Sequence, residues 1–270
     1  MPELAEVETV ARQLAAKIIG RRLVKLEIND QKLAFENRTL VLGRTVQKVF
    51  RSGKEIVLDF SSTRKSPHNL WLAVHLRMTG RLVWHPKNKS AKEKHMRAVL
   101  YFIGGQVRFC DSRRFGLMRV ATTAEAVAPS GLDPTSAQFT VAALGDLLRR
   151  SNQEIKPWLL RQDRLVGLGN IYAAEILFAA GIDPRRAGRS LTPLEIKRLH
   201  AAARKILQNA IRHGGTTISD FADCEGEAGG YMPFLAVYGR DGERCRRCKE
   251  TVERIVQQQR STFYCPACQV

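Results

Sequence analysis

The sequence predicts an α+β protein with two domains, an N-terminal β-sandwich flanked by helices and a C-terminal helical bundle that carries a zinc-binding hairpin. Three observations predict this class. Short β-type segments fill residues 22–110, helical spacing dominates from residue 137, and four cysteines near the end form two C-x2-C pairs. The chain has 270 residues, which is enough for two hydrophobic cores.

The first predicted element is a helix, because apolar residues recur at helical spacing after Pro2, a position where helices tolerate proline. Seven runs rich in Val, Leu, Ile and Phe follow and predict an antiparallel β domain, which we place at residues 1–128. Gly104 and Gly105 are expected to supply the positive φ angles of a tight hairpin turn. The seven runs cover residues 22–28, 45–50, 55–60, 70–78, 81–84, 98–103 and 106–110.

A stretch rich in proline and glycine predicts a linker at residues 129–136. The helical domain is placed at residues 137–235, where Thr192 and Glu195 have the spacing of a capping box. Residues 236–270 return to extended character and form the predicted zinc finger. The helical segments cover residues 140–150, 154–162, 171–180 and 192–213.

The cysteines near the end of the chain predict a metal site. Each C-x2-C pair directs two thiolates toward one point, and Zn²⁺ takes four such ligands in a closed tetrahedral site. Two disulfides are the alternative, but they conflict with the expectation that the chain is not secreted. We therefore expect one structural Zn²⁺, with the ligands Cys245, Cys248, Cys265 and Cys268, and free thiols at Cys110 and Cys224.

The charge indicates a polyanionic partner, because 44 Lys and Arg against 26 Asp and Glu give a net charge of +18. Nucleic acid is favoured over a membrane surface, since no long basic amphipathic helix is evident and the longest apolar stretch is about half of a membrane span. Glu3, Glu6 and Glu8 precede the first basic residue, the reverse of a signal peptide. We expect a cytoplasmic, nucleoid-associated monomer that does not contact the membrane.

The N-terminus has two interpretations. Removal of Met1 would leave Pro2 as a secondary amine beside Glu3 and Glu6. An α-amine is less basic than a lysine side chain, so it is more often neutral and nucleophilic. Alternatively, the acidic residues only complement the dipole of the helix, as they do in many proteins.

Two further residues each allow a functional and a structural interpretation. Asn170 follows a glycine-rich turn that can bind phosphate at the start of a helix or simply connect two helices. Arg260 lies near the tip of the hairpin between the cysteine pairs, where it either contacts a phosphate or is merely exposed.

Eight segments, in order along the chain, resemble the formamidopyrimidine-DNA glycosylase and endonuclease VIII family. They are PELAEVE at the start, RSGKEI around Lys54, HLRMTG around Met78, DSRRFG at 111–116, VGLGNIYAAE at 166–175, GGTTISDF at 214–221, VYGRDGERC before the zinc pairs and QRSTFYC around Arg260. PELAEVE and RRFG favour the formamidopyrimidine branch. The resemblance implies a helix-two-turn-helix bundle and a bifunctional DNA glycosylase and AP lyase. Such an enzyme removes oxidised purines, 8-oxoguanine and formamidopyrimidines, from double-stranded DNA with β,δ-elimination.

The resemblance also implies roles for single residues. The amine of Pro2 attacks C1′ of the damaged nucleotide, Glu3 moves protons at the sugar, and Glu6 positions the amine. Lys54 belongs with this catalytic set and with a phosphate clamp. The other members of the clamp are His75, Asn170 and Arg260, and the residues that fill the gap left by the extruded base are Met78, Arg113 and Phe115.

Three departures from the family pattern leave the preferred lesion open. Ala5 replaces a second proline, Thr79 replaces a Ser or Glu, and the segment AGGYM replaces the usual PGYF in the loop of residues 224–234. A preference for oxidised pyrimidines or bulky adducts therefore remains an alternative. So do a non-catalytic zinc DNA-binding protein, which has no reason to retain Pro2 and its acidic neighbours, and a zinc-ribbon protein that binds RNA or the ribosome.

Overall fold

The computed structural model describes residues 1–60, 69–87 and 93–270, and the chain divides into two compact units. Unit 1 contains residues 1–128 and 213–230, and unit 2 contains residues 129–212 and 231–270. The predicted helical domain therefore differs from the structure at residues 213–230, which belong to unit 1. The predicted limits of the linker and of the zinc finger stay predictions. None of the helices in the described ranges is long and apolar enough to cross a bilayer.

Unit 1 is built from one long helix and two four-stranded antiparallel sheets. One sheet has the order β1-β6-β7-β5 and the other has the order β2-β3-β4-β8. The elements are α1 (Leu4–Ile18), β1 (Leu23–Ile28), β2 (Lys48–Ser52), β3 (Glu55–Asp59), β4 (Trp71–His75), β5 (Arg81–Pro86), β6 (Met96–Phe102), β7 (Gly105–Cys110) and β8 (Leu117–Ala121).

The two sheets and α1 share one hydrophobic core, as expected of a flanked sandwich. Val10 and Leu14 of α1 are fully buried in it together with residues from both sheets. Phe221 and Cys224 join the same cluster, and the Cys224 carbonyl accepts the Trp84 N–H at 2.8 Å. These contacts explain why residues 213–230 belong to unit 1 although they follow a helix of unit 2.

Two details of the β domain differ from the predictions. Strand β8 lies at the edge of its sheet and has only five residues with irregular burial, so its alternation is too weak to identify from the sequence. The hairpin between β6 and β7 turns through Ile103 and Gly104, because Phe102 pairs with Gly105. Only Gly104 has a positive φ, at 92°, and Gly105 is an ordinary strand residue.

Unit 2 contains four helices and one two-stranded sheet. Helix α5 begins with the predicted capping box, in which the Thr192 N–H donates to the Glu195 carboxylate at 2.7 Å and the Glu195 N–H donates back to the Thr192 hydroxyl at 3.3 Å. The elements are α2 (Val141–Arg149), α3 (Ile155–Leu159), α4 (Asn170–Ala180), α5 (Pro193–Arg212), β9 (Glu253–Gln257) and β10 (Arg260–Tyr264).

The hairpin of β9 and β10 turns tightly, since Gln257 pairs with Arg260 and only Gln258 and Gln259 lie between them. Both turn residues have positive φ angles, 46° and 61°. This is the conformation of a type I′ turn, which usually contains Asn or Gly. The turn fixes Arg260 as the first residue of β10.

Helix α4 is tied to the chain that enters the zinc finger by the buried carboxylate of Glu175. Its oxygens accept the backbone N–H groups of Ala236, Val237 and Tyr238 at 2.7, 2.9 and 2.8 Å. Burial raises the pKa of Glu175, and the three donors oppose that rise. The carboxylate thereby satisfies three backbone groups that no strand or helix pairs.

We expect Glu175→Ala to leave these three buried or partly buried N–H groups without their carboxylate acceptor, at a cost of about 3 kcal/mol. Hydrogen exchange of the amides of residues 236–238 should then accelerate by about a hundredfold in the zinc-loaded protein. Glu175→Gln is the matched control, because its carbonyl oxygen keeps one acceptor and should give a smaller effect. Unchanged exchange in both variants would contradict the proposed anchor.

Candidate active site and zinc centre

The start of α1 brings a proline and two acidic residues together in a buried position. Pro2, Glu3 and Glu6 are all buried, whereas Met1 is 43% exposed. The Glu6 carboxylate accepts the backbone N–H of Glu3 at 2.7 Å through Oε2 and that of Thr216 at 2.7 Å through Oε1. Both oxygens of Glu6 are therefore fixed, which holds the first turn of the helix in place.

The loop of residues 214–216 closes directly over Glu6. Gly215 has a φ of +84°, and a Cβ built on it would lie 2.8 Å from Oε1 and 2.9 Å from Cγ of Glu6. Any larger residue would thus push the loop away from the carboxylate. This GGTT segment was identified from the sequence only by resemblance to the family, because no local sequence pattern predicts its contact with the N-terminus.

Lys54 and His75 lie at the same end of the second sheet. Lys54 is in the tight turn between β2 and β3, and Glu55, the next residue, pairs with His75 on β4. The turn is braced against α1, because Arg51 donates to the Glu8 carboxylate at 2.9 Å and to the Gly53 carbonyl at 3.1 Å. The strand pairing explains how Lys54 and His75, 21 positions apart in the sequence, come to the same end of the sheet.

The imidazole of His75 is held as a neutral hydrogen-bond donor. Its Nδ1 accepts the Arg77 backbone N–H at 3.0 Å, so the ring proton lies on Nε2. Burial, together with the positive charges of Arg77 and Lys54, lowers the pKa of His75 to about 4. His75 can thus donate one N–H to an anion without carrying a charge at neutral pH.

The two loops that carry Met78 and Arg113 are joined by one buried carboxylate. Asp111 accepts the Thr79 hydroxyl and the Arg113 N–H through one oxygen, and it accepts the Gly116 N–H at 2.7 Å through the other. Thr79 also accepts the Arg113 N–H at 3.2 Å. Thr79, which departs from the family pattern, is therefore part of the connection between the two loops.

The loop after Asp111 presents an apolar side chain to solvent. Phe115 is 51% exposed and Met78 is 38% exposed, and the Arg113 guanidinium lies 4.9 Å from the centre of the Phe115 ring. The loop is fixed from below, because Arg114 donates two hydrogen bonds to Asp30 and holds the pKa of that carboxyl at about 2. Exposed side chains on a braced backbone suit insertion into a base stack.

An open cleft of 490 Å³ in unit 1 brings together Thr79 and residues of the 213–230 segment. Cys110 lies in its wall, where burial raises the pKa of the thiol to about 11. That thiol is protonated at neutral pH and is a poor nucleophile. The cleft is lined by Thr79, Arg81, His95, Cys110, Asp111, Ser112, Thr217, Ser219, Asp220, Phe221, Ala222, Gly226 and Ala228.

In unit 2 the structure brings Asn170 and the zinc hairpin together. The Asn170 Nδ2 donates to the Ser261 carbonyl at 2.9 Å, directly beside Arg260, and its second hydrogen remains for another acceptor. The same carbonyl accepts the buried Nζ of Lys156 at 2.8 Å, and that ammonium also donates to the Thr262 hydroxyl at 2.6 Å. Lys156 was not among the predicted residues, since a lysine in a helical pattern gives no local sign of burial.

The four predicted zinc ligands converge on one point. Their sulfur atoms all lie within 4.8 Å of one another, with 3.4 Å between Cys248 and Cys265 and 4.0 Å between Cys245 and Cys268. A tetrahedron with Zn–S bonds of about 2.3 Å has edges of about 3.8 Å, whereas a disulfide bond is about 2.05 Å long. The geometry fits one structural Zn²⁺ with four thiolates, as predicted, and Cys110 and Cys224 are free.

The predicted residues thus fall into groups within each unit. Unit 1 holds the N-terminal cluster, the pair of Lys54 and His75, and the three residues of the two joined loops. Unit 2 holds Asn170, Arg260 and the zinc centre. Three residues of these groups were not predicted, because each acts through a partner distant along the chain: Thr216, Asp111 as the connection between loops, and Lys156.

We expect the His75 imidazole of the DNA-free protein to titrate with a pKa of about 4 in an NMR pH series. Since this lies below the ordinary value of 6.5, the unfolded chain binds the extra proton first. The stabilising contribution of neutral His75 is therefore complete above pH 6.5 and is lost as the pH falls toward 4. His75→Gln assigns the resonance, and a measured pKa near 6.5 would refute the buried neutral donor.

We expect the purified protein to contain one Zn²⁺ per chain, and Cys265→Ala to lose it together with most DNA affinity, because the finger is too small to fold without metal. Cys110→Ala is the matched control and should retain zinc. Metal analysis that finds no zinc in the unaltered protein would overturn the structural site.

Three family models match successive parts of the chain. The formamidopyrimidine-DNA glycosylase N-terminal domain matches residues 1–118, and the formamidopyrimidine-DNA glycosylase H2TH domain matches residues 130–222. The zinc finger found in FPG and IleRS matches residues 242–270. Together these models cover most of the chain, and they follow the order that the sequence predicts.

Relatives and solved structures agree with these models. The formamidopyrimidine-DNA glycosylase of Pelotomaculum thermopropionicum is 39% identical over 100% of this chain and 99% of that protein. The crystal structure of MutM (Fpg) from Thermus thermophilus has a TM-score of 0.88 and 35% identity, with 99% of this chain and 98% of that chain covered. A Lactococcus lactis Fpg variant in complex with DNA containing Fapy-dG also gives a TM-score of 0.88, at 32% identity and 99% coverage of both chains. The chain belongs to the formamidopyrimidine-DNA glycosylase family.

Proposed function

We propose that this protein is a bifunctional DNA glycosylase and AP lyase that removes oxidised purines, 8-oxoguanine and formamidopyrimidines, from double-stranded DNA. The observation that carries the proposal is the N-terminal cluster. Removal of one exposed residue, Met1, would expose a secondary amine on the buried Pro2, next to the buried carboxylates of Glu3 and Glu6. A DNA-binding protein without catalysis has no need of such a cluster.

The reaction that suits this cluster begins with the Pro2 nitrogen. Its lone pair bonds to C1′ while the bond from C1′ to the damaged base breaks, and the base leaves with the electron pair. Glu3 protonates the ring oxygen as the sugar opens, and the nitrogen loses its proton to give a cationic iminium. The iminium acidifies the C2′ proton, so elimination of the 3′ phosphate and then of the 5′ phosphate follows base loss.

Glu6 acts in this proposal as a positioning residue rather than as an acid. Its two oxygens accept the backbone N–H groups of Glu3 and Thr216, which leaves the amine nitrogen in a fixed place at the helix start. Fixed placement of a nucleophile lowers the entropic part of the barrier. Glu3 is left as the carboxyl group that takes part in proton transfer.

The proposed phosphate clamp combines charged and neutral donors. Lys54 and Arg260 supply positive charge, whereas His75 and Asn170 supply uncharged N–H donors. The neutral tautomer of His75 supports this role, because its Nε2 proton is the one that a phosphate oxygen would accept. Lys54 also belongs to the proposed catalytic set, since it lies at the same end of the sheet as His75 and its positive charge, which acts on that imidazole, can stabilise a departing phosphate.

The proposed wedge consists of Met78, Arg113 and Phe115. An extruded base leaves a gap in the stack, and apolar side chains that fill it offset a few kcal/mol of lost stacking. The exposure of Met78 and Phe115 and the hydrogen bonds to Asp111 beneath them support this role.

The cleft of unit 1 is the proposed pocket for the extruded base. Thr79, Gly226 and Ala228 line it, and they belong to parts of the chain that depart from the family pattern. The preferred lesion within the oxidised bases is set there. We further propose a cytoplasmic, nucleoid-associated location, which the net charge of +18 and the DNA substrate support.

Retention of Met1, or an extension before Pro2, should abolish both base release and strand cleavage, because the amine becomes a tertiary amide without a nucleophilic lone pair. DNA binding should survive, since the fold and the basic surface are unchanged. The measurement is borohydride trapping on duplex DNA that contains 8-oxoguanine, because only a Schiff-base intermediate is captured covalently.

The same extended protein, after a protease has removed the extension to expose Pro2, is the matched control and should regain trapping. A covalent adduct formed by the intact extended protein would assign the nucleophile to a lysine such as Lys54 and would overturn the proposal. Glu3→Gln should impair base release more than cleavage at a preformed abasic site, where the base is already absent.

Replacement of Met78 or Phe115 by Ala should slow excision of a paired lesion about 10- to 100-fold, which corresponds to about 1–3 kcal/mol of lost compensation for base extrusion. Cleavage at a preformed abasic site should change much less, because less stacking is lost there. Leu117→Ala alters an exposed neighbour on β8 and should leave both rates unchanged. Equal losses on both substrates would reject the wedge.

A further inference from the structure

Unit 2 contains a cleft of 760 Å³ whose lining is dominated by arginine side chains. Four arginines and a single carboxylate line it, together with a polar loop and the buried face of Trp158. We call it the arginine cleft. Its lining residues are Asp146, Leu147, Arg149, Arg150, Ser151, Asn152, Gln153, Trp158, Arg161 and Arg164. None of them has a role in the proposed chemistry.

A second, smaller cleft of 210 Å³ connects the arginine cleft to the zinc hairpin. It is lined by Arg260 and Gln258 of the hairpin and by Lys156, Leu160 and Arg161 that follow along the chain from the start of α3. Arg161 lines both clefts. The two clefts of unit 2 are therefore adjacent, with Arg260 beside one of them and the arginines at the end of α2 beside the other.

The charges on this surface are available to an anion. Arg149 and Arg150 are exposed at the C-terminal end of α2, and Arg149 pairs with the exposed Asp146, at 3.0 Å. Arg161 pairs with Asp163 at 2.6 Å, with both side chains about half exposed. Exposed ion pairs contribute about 0–1 kcal/mol, so a phosphate can replace or share them at little cost. Arginine also matches phosphate oxygens with two parallel hydrogen bonds.

We propose that the arginine cleft binds the sugar–phosphate backbone of the duplex arm that extends away from the nucleotide held at Arg260. This inference rests on the proposed function, which places a DNA phosphate at Arg260. It adds a second DNA-binding surface, the arginine cleft, beside the smaller cleft that Arg260 lines. The surface carries an excess of positive charge, which complements a polyanion, and its apolar lining, Leu147 and Trp158, is smaller than a surface that docks a protein needs. Recognition there is independent of base sequence.

The test measures binding of three lesion duplexes by the full zinc-loaded protein and by the variant R149Q/R150Q. One duplex has about 5 base pairs on each side of 8-oxoguanine, and each of the other two adds an arm of about 15 base pairs, or about 50 Å, on one of the two sides. K197Q/R198Q is the matched control, because it removes the same charge from exposed positions on α5 outside both clefts.

We expect R149Q/R150Q to weaken binding of the duplex with one of the two long arms and to leave the short duplex and its borohydride trapping unchanged. Loss of two phosphate contacts should reduce the slope of log K against log salt by about 1.8, so the defect at 50 mM salt should be about tenfold larger than at 200 mM. Arg260→Gln should weaken binding of the short duplex and of both long duplexes alike.

Equal effects of R149Q/R150Q on short and long duplexes, no effect on either, or the same defect in K197Q/R198Q would overturn the proposal. A different result is expected if the proposed function itself is wrong. In that case the unaltered protein forms no trapped adduct on any duplex, while the dependence of its affinity on arm length still reports on the arginine cleft.

Discussion

The pair of hydrogen bonds that Glu6 accepts from two distant backbone segments holds the N-terminal cluster together. One comes from Glu3 at the start of α1 and the other from Thr216 in the loop that Gly215 allows to approach closely. Without this carboxylate, the first turn of α1 and the loop would each keep an unpaired buried N–H. The same contact explains why residues 213–230 belong to unit 1 although the chain before and after them belongs to unit 2.

Glu6, Asp111 and Glu175 are buried carboxylates that use the same physical device. Asp111 accepts backbone and hydroxyl hydrogens from both loops of the proposed wedge, and Glu175 accepts three N–H groups from the chain before the zinc finger. Burial of a carboxylate is unfavourable unless several donors surround it, and here loop backbones supply those donors. In a chain with a net charge of +18, these buried acids thus shape the loops.

Much of the architecture could be predicted because it depends on patterns among residues that are close together in the sequence. Helical spacing identified α1 and α5, the C-x2-C pairs identified the zinc centre, and alternating runs identified most strands. The family followed from eight ordered segments. Local patterns did not reveal β8, the turn at Ile103, or the assignment of residues 213–230 to unit 1, because these depend on contacts between distant residues. Lys156 is an example, because lysine is usually exposed and its burial here depends on the Ser261 carbonyl of the zinc hairpin, which accepts a hydrogen bond from it.

The turn at Gln258 and Gln259 has a consequence for how Arg260 is presented. Two residues with a side chain in the left-handed region each cost about 1 kcal/mol relative to glycine or asparagine. Neighbouring contacts offset this cost, since Gln257 bonds to Glu154, Pro184 and Thr262 within unit 2. Compared with a turn that contains glycine, this hairpin is less stable but stiffer, because residues with side chains sample far fewer backbone states than glycine. For the proposed contact of Arg260 with a DNA phosphate, a narrower range of arginine orientations in the free protein reduces the entropy lost on association.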